Sequence, residues 1–138
     1  MERTLTIVKP DGTAQGIVGE VVRRLEANRF KILGMKMIRM SPAQAAGFYL
    51  VHQGKHFYES LTAFMSEGPV VVMALEGEAA IGRLRDLMGP TDPKKAPRGT
   101  LRGDYGTSIE RNVIHGSDSP ESVAFEVPYF FNALELCG

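Results

Sequence analysis

Val70-Val71-Val72-Met73-Ala74-Leu75 is an unbroken apolar run, opened by Gly68-Pro69. An apolar run bounded by turn signals has no residues to spare for water, so it reads as the central strand of a sheet. On its N-terminal side Phe57, Leu61, Phe64 and Met65 recur at i, i+4, i+7 and i+8, the stripe of a helix. On its C-terminal side Ile81, Leu84, Leu87 and Met88 form another stripe, stopped by Gly89-Pro90. Further out, Phe30 to Met40 mixes Ile, Leu and Met without helical spacing and predicts a strand. Ser41-Pro42 then supplies an N-cap and a proline at the first helical position, which predicts a helix after it. Ile17, Val18, Val21, Val22 and Leu25 line one face of an earlier helix, with Glu20, Arg23, Arg24 and Glu26 toward water. Thr4 to Val8 is short and β-branched, a first strand that ends on the turn cluster Lys9-Pro10-Asp11-Gly12. Strands and helices alternate, and four strands with intervening helices suit an α+β sandwich, a sheet covered by helices on one face.

Two segments resist this pattern. From Gly89 to about Gly106 no apolar period survives, and a structureless loop longer than about 12–15 residues in a compact domain calls for a functional reason. Between Asp92 and Arg111 five basic residues stand against three acidic ones, a local positive surplus. In the last segment Val123, Phe125 and Val127 alternate like a strand. Asp118-Ser119-Pro120-Glu121, however, is a helix-start signal with aspartate as cap, and a helix is expected, broken or kinked at Pro128.

A chain of 138 residues fits one domain, residues 1–138, and its 43% apolar content is enough for a core formed without a cofactor. A formal net charge of +0 argues against stable nucleic-acid binding or an anionic-membrane surface, since both rely on a broad positive field. The single cysteine, Cys137, cannot close an internal disulfide and favours a reducing compartment. With no apolar leader and no run of about 20 apolar residues, a cytoplasmic protein without a membrane span is expected.

The chemistry concentrates at Asn112-Val113-Ile114-His115-Gly116-Ser117-Asp118. Imidazole, with a free-solution pKa of about 6.5, is largely neutral at pH 7 and can attack phosphorus without a base to deprotonate it. It needs only to be held in the right tautomer, and Ser117 and a glutamate such as Glu126 suit that role. Taken alone, a histidine beside Gly-Ser-Asp reads as structural. His52 and His56, four apart, would share a helical face as a metal pair, but no third ligand accompanies them and Gly54 weakens the helix.

The stretch from Asn112 to Ser119 resembles the active-site signature of the nucleoside diphosphate kinases. Thr6-Ile7-Val8-Lys9-Pro10-Asp11-Gly12, Phe48-Tyr49, Phe57, Ser66-Glu67-Gly68-Pro69-Val70, Arg85 to Thr91 and Gly99-Thr100-Leu101-Arg102 resemble the same family in order and spacing, from Arg3 to about Phe131. The resemblance implies a ferredoxin-like βαββαβ core with a four-stranded antiparallel sheet. It implies a ping-pong transfer of the γ-phosphoryl group from a nucleoside triphosphate to a nucleoside diphosphate, by way of a phosphohistidine at Nδ1 of His115 oriented by Ser117 and Glu126. Arg85, Arg102 and Thr91 then hold phosphates, Lys9 and Asn112 reach the sugar, Lys9 also reaching the transferring phosphate, and Tyr49 sits beside that phosphate. Phe57 stacks on the base with Ile109 opposite, where many members carry valine, and Leu61 lies near. Phe57 and Leu61 fit the helix stripe equally well as core. Stacking without base-edge contacts implies broad base specificity. Magnesium is expected on the nucleotide's β and γ oxygens, with no carboxylate cluster to bind it independently. A homo-oligomer, tetramer or hexamer, is implied; the chain stops at Gly138, short of the tail many relatives carry. The competing reading is a non-catalytic nucleotide-sensing or RNA-binding module on the same fold. An RNA-binding sheet needs exposed aromatics on its central strands, and Val70 to Leu75 has none.

Overall fold

The computed structural model describes residues 1–138. Along the chain run β1 (Glu2–Val8), α1 (Pro10–Ala14), α2 (Val18–Ala27), β2 (Lys31–Ile38), α3 (Pro42–Phe48), α4 (Tyr58–Met65), β3 (Val70–Gly77), α5 (Ala80–Met88), α6 (Leu101–Tyr105), β4 (Ile114–Gly116) and α7 (Pro120–Phe130). The four strands form one sheet in the order β2-β3-β1-β4, and every neighbouring pair is antiparallel. The succession β1-α2-β2-β3-α5-β4 is the expected βαββαβ core, with α3 and α4 inserted between β2 and β3. No helix is long and apolar enough to cross a membrane.

Both faces of the sheet are covered, not one. Leu5 and Ile7 of β1 pair with Ala74 and Val72 of β3, and this face packs against Ala45 and Phe48 of α3, Phe64 and Met65 of α4, and Val127 of α7. Val8, Val71, Met73 and Leu75 point the other way, onto Val21 and Leu25 of α2, Ala80, Leu84 and Met88 of α5, and Leu101 of α6. The apolar run in β3 already had no solvent face; the two helical layers are what it packs against. Because the sheet presents no open face, the aromatic platform of an RNA-binding sheet has nowhere to form.

Local chemistry explains the remaining differences. Lys9-Pro10-Asp11-Gly12 is not a simple turn but the start of α1: Lys9 is extended as N-cap, Pro10 occupies the first helical position and Asp11 the first turn. The stretch from Gly89 to Gly106 holds a 3₁₀ turn at Pro93–Lys95, capped by Asp92, and the five-residue α6, capped by the Thr100 hydroxyl. Two elements this short carry too few apolar residues to show a period, and fully buried Leu101 is the anchor of the second. The final segment is helical, with Ser119 rather than Asp118 as cap: Ser119 Oγ accepts the Ser122 N–H, and Pro120 follows at the first helical position. Pro128 lies inside α7, which continues to Phe130 rather than breaking. Ser41 forms the expected cap of α3, completed by Gln44 into a reciprocal capping box.

Ile7 is fully buried and pairs across the sheet with His115, so it supports the short β4 from below. Ile7→Ala is expected to destabilise the fold by about 2–5 kcal/mol through lost burial and the cavity left behind. Urea unfolding should show a lower midpoint with an unchanged slope.

Candidate active site

β1 and β4 end side by side. The register sets Val8 opposite Ile114 and Ile7 opposite His115, so the side chain of Lys9, one residue beyond β1, emerges next to β4. Lys9 Nζ donates to Asn112 Oδ1 and to the Glu110 carbonyl, each at 2.8 Å. Asn112 Nδ2 in turn donates to the Thr91 carbonyl at 3.0 Å. Arg102, on α6, reaches inward and donates to the carbonyls of Gly89 at 3.0 Å and Ile114 at 2.7 Å. These contacts bring the loop after α5, the helix α6 and the strand β4 to one point, which is why residues scattered along the chain share one cleft.

The imidazole of His115 stands at the base of that cleft. Its Nε2 lies 2.8 Å from Glu126 Oε1, and the Ser117 hydroxyl donates to the same carboxylate oxygen at 2.8 Å. Glu126 accepts, so it favours the tautomer with the proton on Nε2 and leaves the Nδ1 lone pair open. Ser117 therefore acts on the carboxylate rather than on the ring. Phe48 and Tyr49 of the α3 end set ring edges against the imidazole, with centroids 5.5 Å and 6.1 Å away.

Four polar groups shape the field around it. Burial lowers the Lys9 ammonium from 10.5 to about 8, the Asp11 charge opposing that and Arg102 adding to it. Arg102 is only 7% exposed, and burial followed by repulsion from Arg85 lowers its guanidinium to about 10, still charged at neutral pH. Its Nε is buried without a hydrogen-bond partner. No carboxylate pairs with Lys9, Arg85 or Arg102 within salt-bridge distance. Burial, then the Glu126 charge, hold the Tyr49 phenol above its ordinary range, so it stays a neutral hydroxyl. Two buried cations without anionic partners are costly unless an anion completes the site.

The cleft encloses about 400 Å³. Lys9, Tyr49, Asn112 and His115 line its floor, Arg85, Thr91 and Arg102 one wall, and Phe57, Leu61 and Ile109 its apolar mouth. Ser117 and Glu126 stand behind the histidine. The residues that the resemblance singled out thus converge on one place, whereas His56 of the histidine pair does not line it. The ambiguity over the Phe57 stripe resolves by position: Phe64 and Met65 are buried in the core, whereas Phe57 precedes the first turn of α4 and, with Leu61, stays half-buried at the cleft. Ile109, 62% exposed, lines the same cleft.

Three further titratable lining residues, His52, Glu110 and Asp118, were given no role in the cleft from sequence. His52 stacks on Tyr49 and meets Phe57 edge-on, and burial followed by the Lys55 charge lowers its imidazole. It lies in a 3₁₀ turn, Leu50–His52, while His56 lies in the turn that follows, so the two do not share a helical face. Glu110 contributes its carbonyl to Lys9, and its carboxylate accepts from Ser60 on α4 at 3.1 Å, joining the two lips. Asp118 accepts from the Ser122 hydroxyl, which with the charge of Arg85 holds its carboxyl below the usual range. Only Asp118 stood inside a recognisable motif; the other two depend on a turn and a loop without periodic signal.

Comparison with known proteins agrees with this geometry. The family model described as nucleoside diphosphate kinase matches residues 2–136. A nucleoside diphosphate kinase of Desulfosudis oleivorans is 63% identical over 138 residues, covering 100% of this chain and 99% of the relative. That of Desulforapulum autotrophicum is 51% identical, covering 100% of both. Among solved structures, the Aquifex aeolicus nucleoside diphosphate kinase superposes with a TM-score of 0.96 at 44% identity, over 98% of each chain. A halophilic nucleoside diphosphate kinase of Halobacterium salinarum, in complex with CDP, gives 0.94 at 42% identity, over 98% of this chain and 90% of that one. With the sheet, the cleft and these relatives in agreement, the chain belongs to the nucleoside diphosphate kinase family, enzymes of nucleotide phosphate transfer.

Proposed function

We propose that this chain moves the γ-phosphoryl group of a nucleoside triphosphate to a nucleoside diphosphate by way of a phosphohistidine on His115. The observation that carries this reading is the imidazole tied at Nε2 by Glu126 within a cleft where Arg85, Arg102 and Lys9 have no carboxylate within salt-bridge distance. The Nδ1 lone pair attacks the γ-phosphorus, an N–P bond forms, and the P–O bond to the β-phosphate breaks so that the diphosphate leaves with the electron pair. A second diphosphate then takes the phosphoryl group in the reverse sense from the same position. Because like bonds break and form, the overall equilibrium lies near unity.

The side chains divide the work. Arg102 and Arg85 are placed to neutralise equatorial oxygens as charge spreads over them, and the unpartnered Nε of Arg102 is a donor in waiting. Thr91 adds a hydroxyl to the same phosphates. Lys9 keeps one N–H free beyond its bonds to Asn112 and Glu110 for the transferring phosphate, and reaches the sugar by giving up one of those two bonds, with Asn112 as the second sugar contact. The neutral Tyr49 hydroxyl sits beside the transferred group. Phe57, Leu61 and Ile109 offer the base apolar faces and no hydrogen-bonding edge, which fits broad base and sugar specificity.

Magnesium would come with the nucleotide and supply charge neutralisation on its phosphates, which Arg85, Arg102, Thr91 and Lys9 would hold. Residues 1–138 act as one domain within a homo-oligomer, tetramer or hexamer; exposed Met35 and Met37 on the edge strand β2 support self-association. A lone cysteine supports placement in the cytoplasm.

Incubation with γ-labelled ATP and magnesium should give an acid-labile protein phosphate that any nucleoside diphosphate discharges. His115→Gln should take up no label; transfer at the normal rate would overturn the assignment. The pH dependence follows from Lys9. Its ammonium is charged below about pH 8 and neutral above it, so kcat/KM, which reports the free enzyme, should fall as pH rises through that value. Lys9→Arg keeps the charge to higher pH, and its profile should lack this step whatever its absolute rate.

A further inference from the structure

We infer that Asp11 is a positioning residue for this reaction, holding the strained turn at Val113 from which Asn112 and His115 enter the cleft; the inference rests on the function proposed above. Val113 has φ 66, in the left-handed region that a β-branched residue adopts at a steric cost. The Ile114 N–H donates to the Asn112 carbonyl at 2.9 Å, closing a three-residue γ-turn around Val113, and a γ-turn with positive φ is the strained form. Such a turn persists only where its surroundings over-determine it. Three contacts do so here. The Val113 N–H donates to Asp11 Oδ2 at 3.1 Å, its carbonyl accepts the Lys9 N–H at 2.8 Å, and its side chain is fully buried.

Asp11 is the one side chain among these contacts. It rides on the first turn of α1, and the backbone there presses close to the turn: a Cβ on Gly12 would lie 3.0 Å from the Val113 carbonyl. The second oxygen of Asp11 is buried without a partner, so the carboxylate is kept in an unfavourable place for the sake of a single hydrogen bond and its proximity to the Lys9 charge. Neither the pocket lining nor any hydrogen bond puts Asp11 in the cleft itself. Reversing the γ-turn would redirect the two residues flanking Val113 and separate the Asn112–Lys9 pair from His115.

The test compares Asp11→Ala and Asp11→Asn in the full chain, with steady-state kinetics and amide hydrogen exchange at Val113 as readouts. Asp11→Ala should lower kcat by roughly 10- to 100-fold, the size of effect expected when reacting groups are slightly misplaced, with little change in KM, and should lose protection at the Val113 amide. Asp11→Asn retains an oxygen that can accept the Val113 N–H, so it should restore both kcat and protection in large part. Wild-type kcat in a folded Asp11→Ala protein, or equal impairment of the two variants, would overturn the inference. If Asp11→Ala does not fold, Asp11→Asn decides: loss of Val113 protection with wild-type kcat would also overturn it. Phosphate labelling of the wild type is run alongside. Label at a residue other than His115 counts against the proposed function, whereas normal labelling with an indifferent Asp11 counts against Asp11 alone.

Discussion

Strand β1 is paired on both edges, with β3 on one side and β4 on the other, and packed on both faces, so its position leaves almost no freedom to whatever follows it. Much of the site is built on that constraint. The chain leaves β1 at Lys9, and Pro10 turns it at once into α1, which presses Asp11 and Gly12 against Val113. β4 is only three residues long and could not hold its register alone. It borrows rigidity from β1, through the pairing of Ile7 with His115 and through the Thr6 hydroxyl, which donates to the His115 carbonyl at 2.7 Å.

Upon this frame the molecule sets charges that it does not close into ion pairs. Elsewhere its ion pairs are ordinary surface ones, such as Glu20 with Arg23 and Arg24. In the cleft Lys9 and Arg102 are buried with carbonyl and amide oxygens as their partners, which satisfy hydrogen-bonding directions, while the carboxylate of Asp11 offsets the Lys9 charge only from beyond ion-pair distance. Burial lowers the proton affinity of both groups, and the repulsion of Arg102 on Lys9 and of Arg85 on Arg102 adds to it. Polyphosphate is the kind of ligand that offsets these charges, and its departing charge in transfer is met by groups already in place, with no reorganisation at the moment of reaction.

The helical layers contribute differently to the chemistry. α7 supplies Glu126 to orient the imidazole, and the α3–α4 insertion supplies Phe48, Tyr49, Phe57 and Leu61 to enclose it and to form the apolar mouth. α5 and α6 supply the arginines from the opposite face. The cleft is therefore a junction of both layers at one end of the sheet, and Glu110, bonded to Ser60, joins its two lips.

Apolar stripes located α2, α4 and α5 from the chain alone, and apolar or β-branched runs bounded by turn signals located β1, β2 and β3, because burial on one stripe or along one strand leaves its mark in the sequence. The motifs that resemble the family likewise pointed to His115, Arg102, Lys9 and their neighbours, and the fold brings these into one cleft. Elements held by one anchor, such as α6 with Leu101, leave no such period, and the exchange of Asp118 for Ser119 as the cap of α7 turns on backbone angles no composition reveals. Tertiary structure alone decided which lysine and aspartate lie against Val113, that Ser117 reaches the histidine through Glu126, and that His52 lines the cleft while His56 does not. Those relations join residues some ten to a hundred positions apart or depend on the direction of a single side chain. Local spacing records what is buried; only closure of the sheet between its two layers determines what meets.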